Sequence, residues 1–296
     1  MTPAVRASFA ALLGVLALAG CSEAPQDGPV DADPLLYEII GTDGAVEGWM
    51  LGTIHSLPDG IRWRTPAITQ AIDDADYLIV EVAALEDGEA IARTFAQLAT
   101  TPGQAQLAER IDPALHGELD ALIDRSSYSA EDFSATETWA AALMLARVEA
   151  TGEPANGVDR AIIRDFTGRQ VREFEGATMQ LGIFDSLPEA DQRDLLEGVL
   201  REVETLRNRP DRLHSAWLSG DTSVLEEATR TGIMADPELH TALIVERNFR
   251  WAEMLQDDLK AAPRPLIAVG TGHLVGPDSL AVLLEKRGYK VERVTQ

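Results

Sequence analysis

The stretch Ile267-Ala-Val-Gly-Thr-Gly-His273 decides how this chain is read, because its pattern returns near the other end as Trp49-Met-Leu-Gly-Thr-Ile-His55. Each copy runs apolar residues, then Gly-x-x-His. A short apolar run reads as a buried strand. A glycine at its end permits a tight turn with unusual φ. The histidine three residues on is then presented at the carboxyl end of the strand, where open α/β sheets collect their ligands. If the two strands are neighbours, one imidazole arrives from each end of the sequence. Tyr77–Val82 (YLIVEV) reads as a third buried strand and carries Glu81 near its own carboxyl end. A lone Gly-x-x-His arises often by chance, but here two of only five histidines share one context. His116, His214 and His240 fall in amphipathic helical stretches and read as surface residues.

Working outward, Leu35–Ile40 and Val46–Leu51 pair as a hairpin across the turn Gly41 to Gly44. Thr65-Pro66 reads as an N-cap and first helical position. From Val82 to about Arg164 the pattern is mostly helical: Asp112-Pro113 opens one helix, Ser129 caps another, and an Ala-rich one runs through 136–151. Gln170–Phe174 is a short strand. Ser186-Leu-Pro-Glu189 has capping-box spacing and opens a helix towards Arg207. Asp236-Pro237 opens the longest helix, to about Ala261. Pro265–Val269 is a strand, Asp278 caps the last helix, and Tyr289–Val294 closes the fold. The expectation is a helix-rich α/β domain over 35–296, a small central mixed sheet surrounded by many helices, with a helical insertion in its middle.

Composition narrows the function. The 296 residues carry 49 acidic and 25 basic side chains, a net charge of -24. With no Lys/Arg cluster this excludes nucleic-acid binding and a polybasic membrane patch. The single cysteine, Cys21, excludes an internal disulfide and cysteine-based zinc sites.

That cysteine closes a targeting segment. One charge, Arg6, precedes an apolar run from Ala7 to Ala19, the length of a signal-peptide core and too short to span a bilayer comfortably. Leu18-Ala-Gly-Cys21 resembles the bacterial lipobox, which implies cleavage of residues 1–20 and a lipid on Cys21. Ser22 rather than Asp at the next position implies the outer membrane, periplasmic face. Residues 21–34, rich in Pro and Asp, read as a flexible tether. The membrane is then contacted through the lipid anchor only.

A further oddity lies in the long helix near the C-terminus. Leu243, Ile244, Trp251, Met254 and Leu255 form an apolar stripe by helical spacing, and Arg247 and Asn248 fall on it. A guanidinium facing a core is costly unless paired. Arg247 either snorkels beside the stripe or faces a polar pocket, pairing a carboxylate or orienting substrate.

Together these residues resemble the TraB/GumN family, which includes the TIKI-type proteases. The resemblance is carried by Leu-Gly-Thr-Ile-His-Ser-Leu-Pro (51–58), Ile-Val-Glu-Val (79–82), Glu-Arg-Asn-Phe-Arg-Trp-Ala (246–252) and, above all, Val-Gly-Thr-Gly-His-Leu-Val-Gly-Pro-Asp-Ser-Leu (269–280). Weaker echoes are Gly157-Val-Asp159, Phe174-Glu175 with Gln180, and Ala216-Trp217 with Gly220-Asp221. It implies an erythromycin-esterase-like and ChaN-like fold and a metal-dependent peptidase needing both histidines and the strand glutamate: His55, His273 and Glu81. Glu175 matches the family's second Glu motif.

Two imidazoles and a carboxylate suit an open divalent site for Mn, Co or Zn, in which the metal acidifies a water and polarises a carbonyl. Glu175 is then a further ligand or general base. Arg247 and Asn248 stabilise the oxyanion, a role worth roughly 3–4 kcal/mol per donor. Without metal, His55 or His273 held by Glu81 is the general base. The expected activity is that of a lipid-anchored envelope hydrolase acting on a peptide or another acyl compound. One rival is a non-catalytic protein binding a peptide or polysaccharide precursor. The other is a pair of histidines that only staple strand ends.

Overall fold

In the computed structural model, residues 32–260 and 262–295 are described. The expected signal segment, Cys21 and the tether up to residue 31 lie outside them. Ala32 and Pro34 are already buried, and the Asp33 N–H donates to Leu218 O at 2.6 Å, so packed chain begins ahead of the expected Leu35.

Among the described residues six strands form one mixed sheet: β1 Leu36–Ile40, β2 Val46–Thr53, β3 Tyr77–Val80, β4 Gln170–Glu173, β5 Pro265–Gly270 and β6 Lys290–Arg293, in the order β4-β3-β5-β2-β1-β6. β1 pairs antiparallel with β2, as the short turn between them requires, and with β6. β2, β5, β3 and β4 are parallel. Such strands are covered on both faces and read as unbroken apolar runs. Tyr77–Val80 and Pro265–Val269 are buried throughout. The fold is therefore α/β and helix-rich, a small mixed sheet among helices, as expected.

A second hydrophobic core lies outside the sheet, built from Leu107, Leu119, Leu122, Phe133, Trp139, Leu145, Leu196 and Leu239 among others. It gives the expected helical insertion its own interior. Trp139 packs edge-on against Phe95 and stacks with Phe184 there. None of the described helices is long and apolar enough to cross a membrane.

Several boundaries differ from expectation. Thr65 caps helix Pro66–Asp74 through Ile68 N–H at 3.2 Å, as its spacing predicts. Ser186 does not form a capping box. Its hydroxyl donates to Ile183 O, closing helix Gly176–Asp185, and Pro188 stands at the N-cap of Glu189–Asn208. The last helix, Leu280–Glu285, is capped by Ser279 rather than Asp278. Ser129 opens only a 3-10 turn, and the Ala-rich helix is confined to Thr138–Ala146.

The segment after Asp236 is not one long helix. A four-residue turn, Pro237–His240, leads into π-helix at Thr241–Val245, then helix Glu246–Asp258. The longest helix among the described residues is Glu189–Asn208. Apolar periodicity does not distinguish i→i+4 from i→i+5 bonding, and π turns often accompany functional sites. This one immediately precedes Arg247 and Asn248.

Candidate active site

The parallel pairing of β2 with β5 brings the two Gly-x-x-His turns together: Gly52 lies opposite Val269 and Thr53 opposite Gly270. β3 flanks β5 on the other side, Val80 opposite Ala268, so Glu81 leaves the sheet at the same edge. The expected gathering of three residues at strand carboxyl ends is therefore present. The glycines serve it differently from expectation, since neither Gly52 nor Gly270 has positive φ. They permit close approach: a Cβ on Gly52 would overlap Thr271 Oγ1, and one on Gly270 would come within 3.2 Å of Glu81 Oε1.

His273 is buried in a 3-10 turn, Thr271–Leu274. Asn248 Nδ2 donates to the carbonyls of His273 and Asp278, which leaves its Oδ1 to accept from His273 Nδ1 at 2.7 Å. That bond fixes the proton on Nδ1. Nε2 is then an acceptor, and Arg247 Nη1 donates to it at 3.1 Å. Burial pushes the imidazole down to about 4, against the pull of Glu81, so at neutral pH it is uncharged. Trp251 lies against the ring at 4.5 Å between centroids, with Phe174 stacked behind at 4.9 Å.

Arg247 is fully engaged and does not snorkel. Nη2 donates to Glu81 Oε2 at 2.5 Å and to Glu175 Oε2 at 2.9 Å, Nε reaches both Glu175 oxygens, and Nη1 also donates to Leu243 O. The guanidinium is 4.7 Å from the Trp251 ring. Burial would lower its pKa, but Glu81 and Glu175 outweigh it and hold the group charged. Glu81 also accepts from Gly270 N–H at 2.7 Å and Gln180 Nε2 at 2.9 Å. Burial opposes its ionisation; His273, Arg247 and that backbone donor prevail and keep its carboxyl below the usual range. Arg247 and Asn248 thus hold His273 and the carboxylates in place instead of facing the cleft as oxyanion donors.

His55 is treated in the opposite way. Its side chain is 77% exposed, and its Nδ1 meets Asp159 Oδ2 at 2.9 Å. Thr53 Oγ1 donates to the other Asp159 oxygen. The field of Asp159, and the bond to it, push the imidazole up to about 9, while Asp159 is held down by His55 and Thr53 against its burial. The partner of His55 is therefore Asp159, not Glu81. Reading by strand ends missed it because Asp159 comes from helix Val158–Asp165. Its one signal was the Gly157-Val-Asp159 echo. Gly157 is needed there too, since a Cβ would overlap His55 O.

A cleft of about 480 Å³ opens at this point, lined by His55, Glu81, Asp159, Arg160 and Gln180. Of the remaining histidines, His214 is buried, its Nδ1 3.5 Å from Thr151 Oγ1, which corrects its surface reading. His116 bonds Ala108 O at 2.8 Å.

A metal needs lone pairs converging on one point. Here His273 Nε2 and Glu81 Oε2 are turned to N–H donors of Arg247, with His273 Nε2 3.9 Å from Glu81 Oε1. Among the described residues no group of three or more His, Cys, Asp or Glu is arranged to hold an ion. As arranged, the donors do not fit a three-ligand centre.

The model of the TraB/PrgY/gumN family matches residues 35–293 of the chain. No curated protein and no solved structure matches it.

Proposed function

Because the chain belongs to the TraB/PrgY/gumN family, we propose that the cleft between His55 and Glu81 is the active site of a hydrolase acting on a peptide or another acyl compound. The observation that carries this reading is the pairing of opposites at one sheet edge. A protonated, Asp159-held imidazole and an ionised, buried carboxylate open into the same cleft. Titrating groups whose surroundings push them apart are how acid and base roles are assigned.

In this reading water adds to the substrate carbonyl carbon, passing its proton to Glu81. The bond from that carbon to the leaving atom breaks, and the leaving atom takes the proton from His55 Nε2. Asp159 keeps the imidazole oriented through Nδ1, the role of the third member in a nucleophile–base–orienter set. Arg247 keeps Glu81 ionised and fixed. No step is derived through the expected divalent ion, because His273 Nε2 is taken by Arg247 and three donors do not converge on one point, whereas Glu81 needs only one remaining lone pair to accept a proton.

The same proposal places the protein at the cell envelope, anchored by a lipid on Cys21 at the periplasmic face of the outer membrane. Its support is the sequence of residues 1–22.

The test is hydrolysis of a panel of blocked peptides and acyl esters by the wild-type protein, His55→Ala and Asp159→Asn, with and without added Mn, Co or Zn. Loss of one proton-transfer group lowers rates by about 10²–10⁴, and that loss in His55→Ala is the expected result. Saturable peptide binding without turnover favours the binding-protein reading. Equal turnover by the wild type and His55→Ala overturns the active-site assignment.

A further inference from the structure

The cleft described above is not the only space against His55. A larger cavity, about 780 Å³, also borders His55, and His55, Ser56 and Ala150 line both. Each volume is within the range of small-molecule and peptide sites. His55 is therefore shared by two adjoining spaces. Glu81 and Gln180 line the smaller side, and helices Glu189–Asn208 and Arg212–Ser219 wall the larger.

The larger cavity has its own chemistry. Ile54, Leu206, Leu213 and Ala228 give it apolar wall. Leu213 is 38% exposed, one of four large apolar side chains so exposed among the described residues, and it lines this cavity, which shares His55 with the active-site cleft. Much of the charge around the rim is already paired. Arg201 bonds Glu197 at 2.5 Å, Arg212 bonds Glu227 at 2.5 Å, and Glu149 accepts from Arg125 at 2.6 Å. Burial pushes the Glu202 carboxyl up, and burial with neighbouring acids does the same to Asp194.

We propose that this cavity is a second substrate subsite, and that the substrate is an extended chain lying across His55 and cut at an internal bond, with an apolar-bearing segment seated against Leu213. This inference rests on the hydrolase reading above. An enzyme that trims chain ends needs a wall close to the reacting bond on one side. Here both spaces that border His55 are open rather than enclosed. One water is consumed per bond cut, and the leaving segment carries away the proton from His55, so no co-reactant is required. Contacts remote from the reacting bond contribute to rate only when both segments are present.

The experiment uses peptides blocked at both termini and lengthened one residue at a time on either side of a fixed bond. The proteins are the wild type, Leu213→Gln and Ala228→Trp. For the wild type, kcat/KM is expected to rise on extension towards either side. The gain from an apolar residue in the larger cavity is expected to be about tenfold, the order of one buried side chain. Both variants should lose that gain. Leu213→Gln keeps the test sound if Ala228→Trp misfolds, since Leu213 is partly exposed. A rate independent of length, or cleavage of free-ended peptides only, overturns the proposal while leaving the hydrolase reading intact. If no substrate turns over, that reading fails instead. Fluorescence anisotropy of the longest labelled peptide then decides the subsite: weaker binding by both variants supports it, and equal binding overturns it.

Discussion

The Nε2 atom of His273 receives a hydrogen bond from Arg247 Nη1 at 3.1 Å. An imidazole nitrogen that the sequence marks as a metal ligand is thus facing a resident cation. The same guanidinium neutralises Glu81 and Glu175, so one side chain from helix Glu246–Asp258 holds together groups from three other places in the chain.

Removing that cation should be severe. Arg247→Met leaves buried Glu81 without its cation and Glu175 with only Arg250, 3.4 Å away, and breaking such a buried pair costs about 3–5 kcal/mol. Denaturant unfolding should show a loss of that order, with Arg247→Lys in between because an ammonium cannot serve all the acceptors. A loss below about 1 kcal/mol, the value of an exposed pair, would contradict the buried network.

The His55–Asp159 pair should govern the alkaline side. His55 is raised from an ordinary 6.5 to about 9. Its contribution to stability is therefore full below about pH 6.5 and disappears as pH rises through about 9. If it is the general acid, kcat/KM falls over the same upper limb. Asp159→Asn should bring the titration back towards the ordinary value, as read from the His55 ring proton shifts by NMR.

His273 should act with the opposite sign. It is depressed to about 4 and remains neutral in the folded protein, whereas in the unfolded chain it protonates near 6.5. The unfolded state binds more protons between those values, so this residue costs stability as pH falls from about 6.5 through 4. The melting temperature of wild type minus that of His273→Gln, followed from pH 7 to pH 4, isolates the effect from the many carboxylates. The difference should shrink on acidification.

Gly52 is required by close approach, not by φ. A methyl group would meet Thr271 Oγ1 where β2 passes β5, and overpacking of that kind costs about 1–3 kcal/mol. Gly52→Ala should lower stability and shift the amide resonances of both Gly-x-x-His turns. Gly44→Ala, where φ is positive but nothing is near, should leave those turns unchanged.

Cys21→Ser should abolish incorporation of labelled palmitate and release the protein from membranes, while leaving the fold of 35–296 unaltered. Retained membrane association in that variant would reject the lipid anchor.

Much of the architecture was legible because it is local. The hairpin β1–β2, the cap at Thr65 and the apolar strands Tyr77–Val80 and Pro265–Gly270 all follow from patterns a few residues long. The repeated Gly-x-x-His turns also carried the site, since parallel strands put their carboxyl ends at one edge. The failures are equally physical. The π turn at Thr241–Val245 preserves apolar periodicity closely enough to read as helix, and the Ser186 hydroxyl serves the preceding helix with the same chemistry a capping box uses.

The sequence by itself determined the fold class and the family features, and singled out His55, His273, Glu81, Glu175, Arg247 and Asn248 as candidates. Only the tertiary structure decided what each does there. It joined His55 to Asp159, 104 positions away, and left that imidazole open and charged. It closed Trp251 and Asn248 around His273 and made that one neutral. Two copies of the Gly-x-x-His pattern were driven to opposite protonation states by burial and by partners from distant segments. Those quantities depend on three-dimensional distance, which no spacing along the chain records.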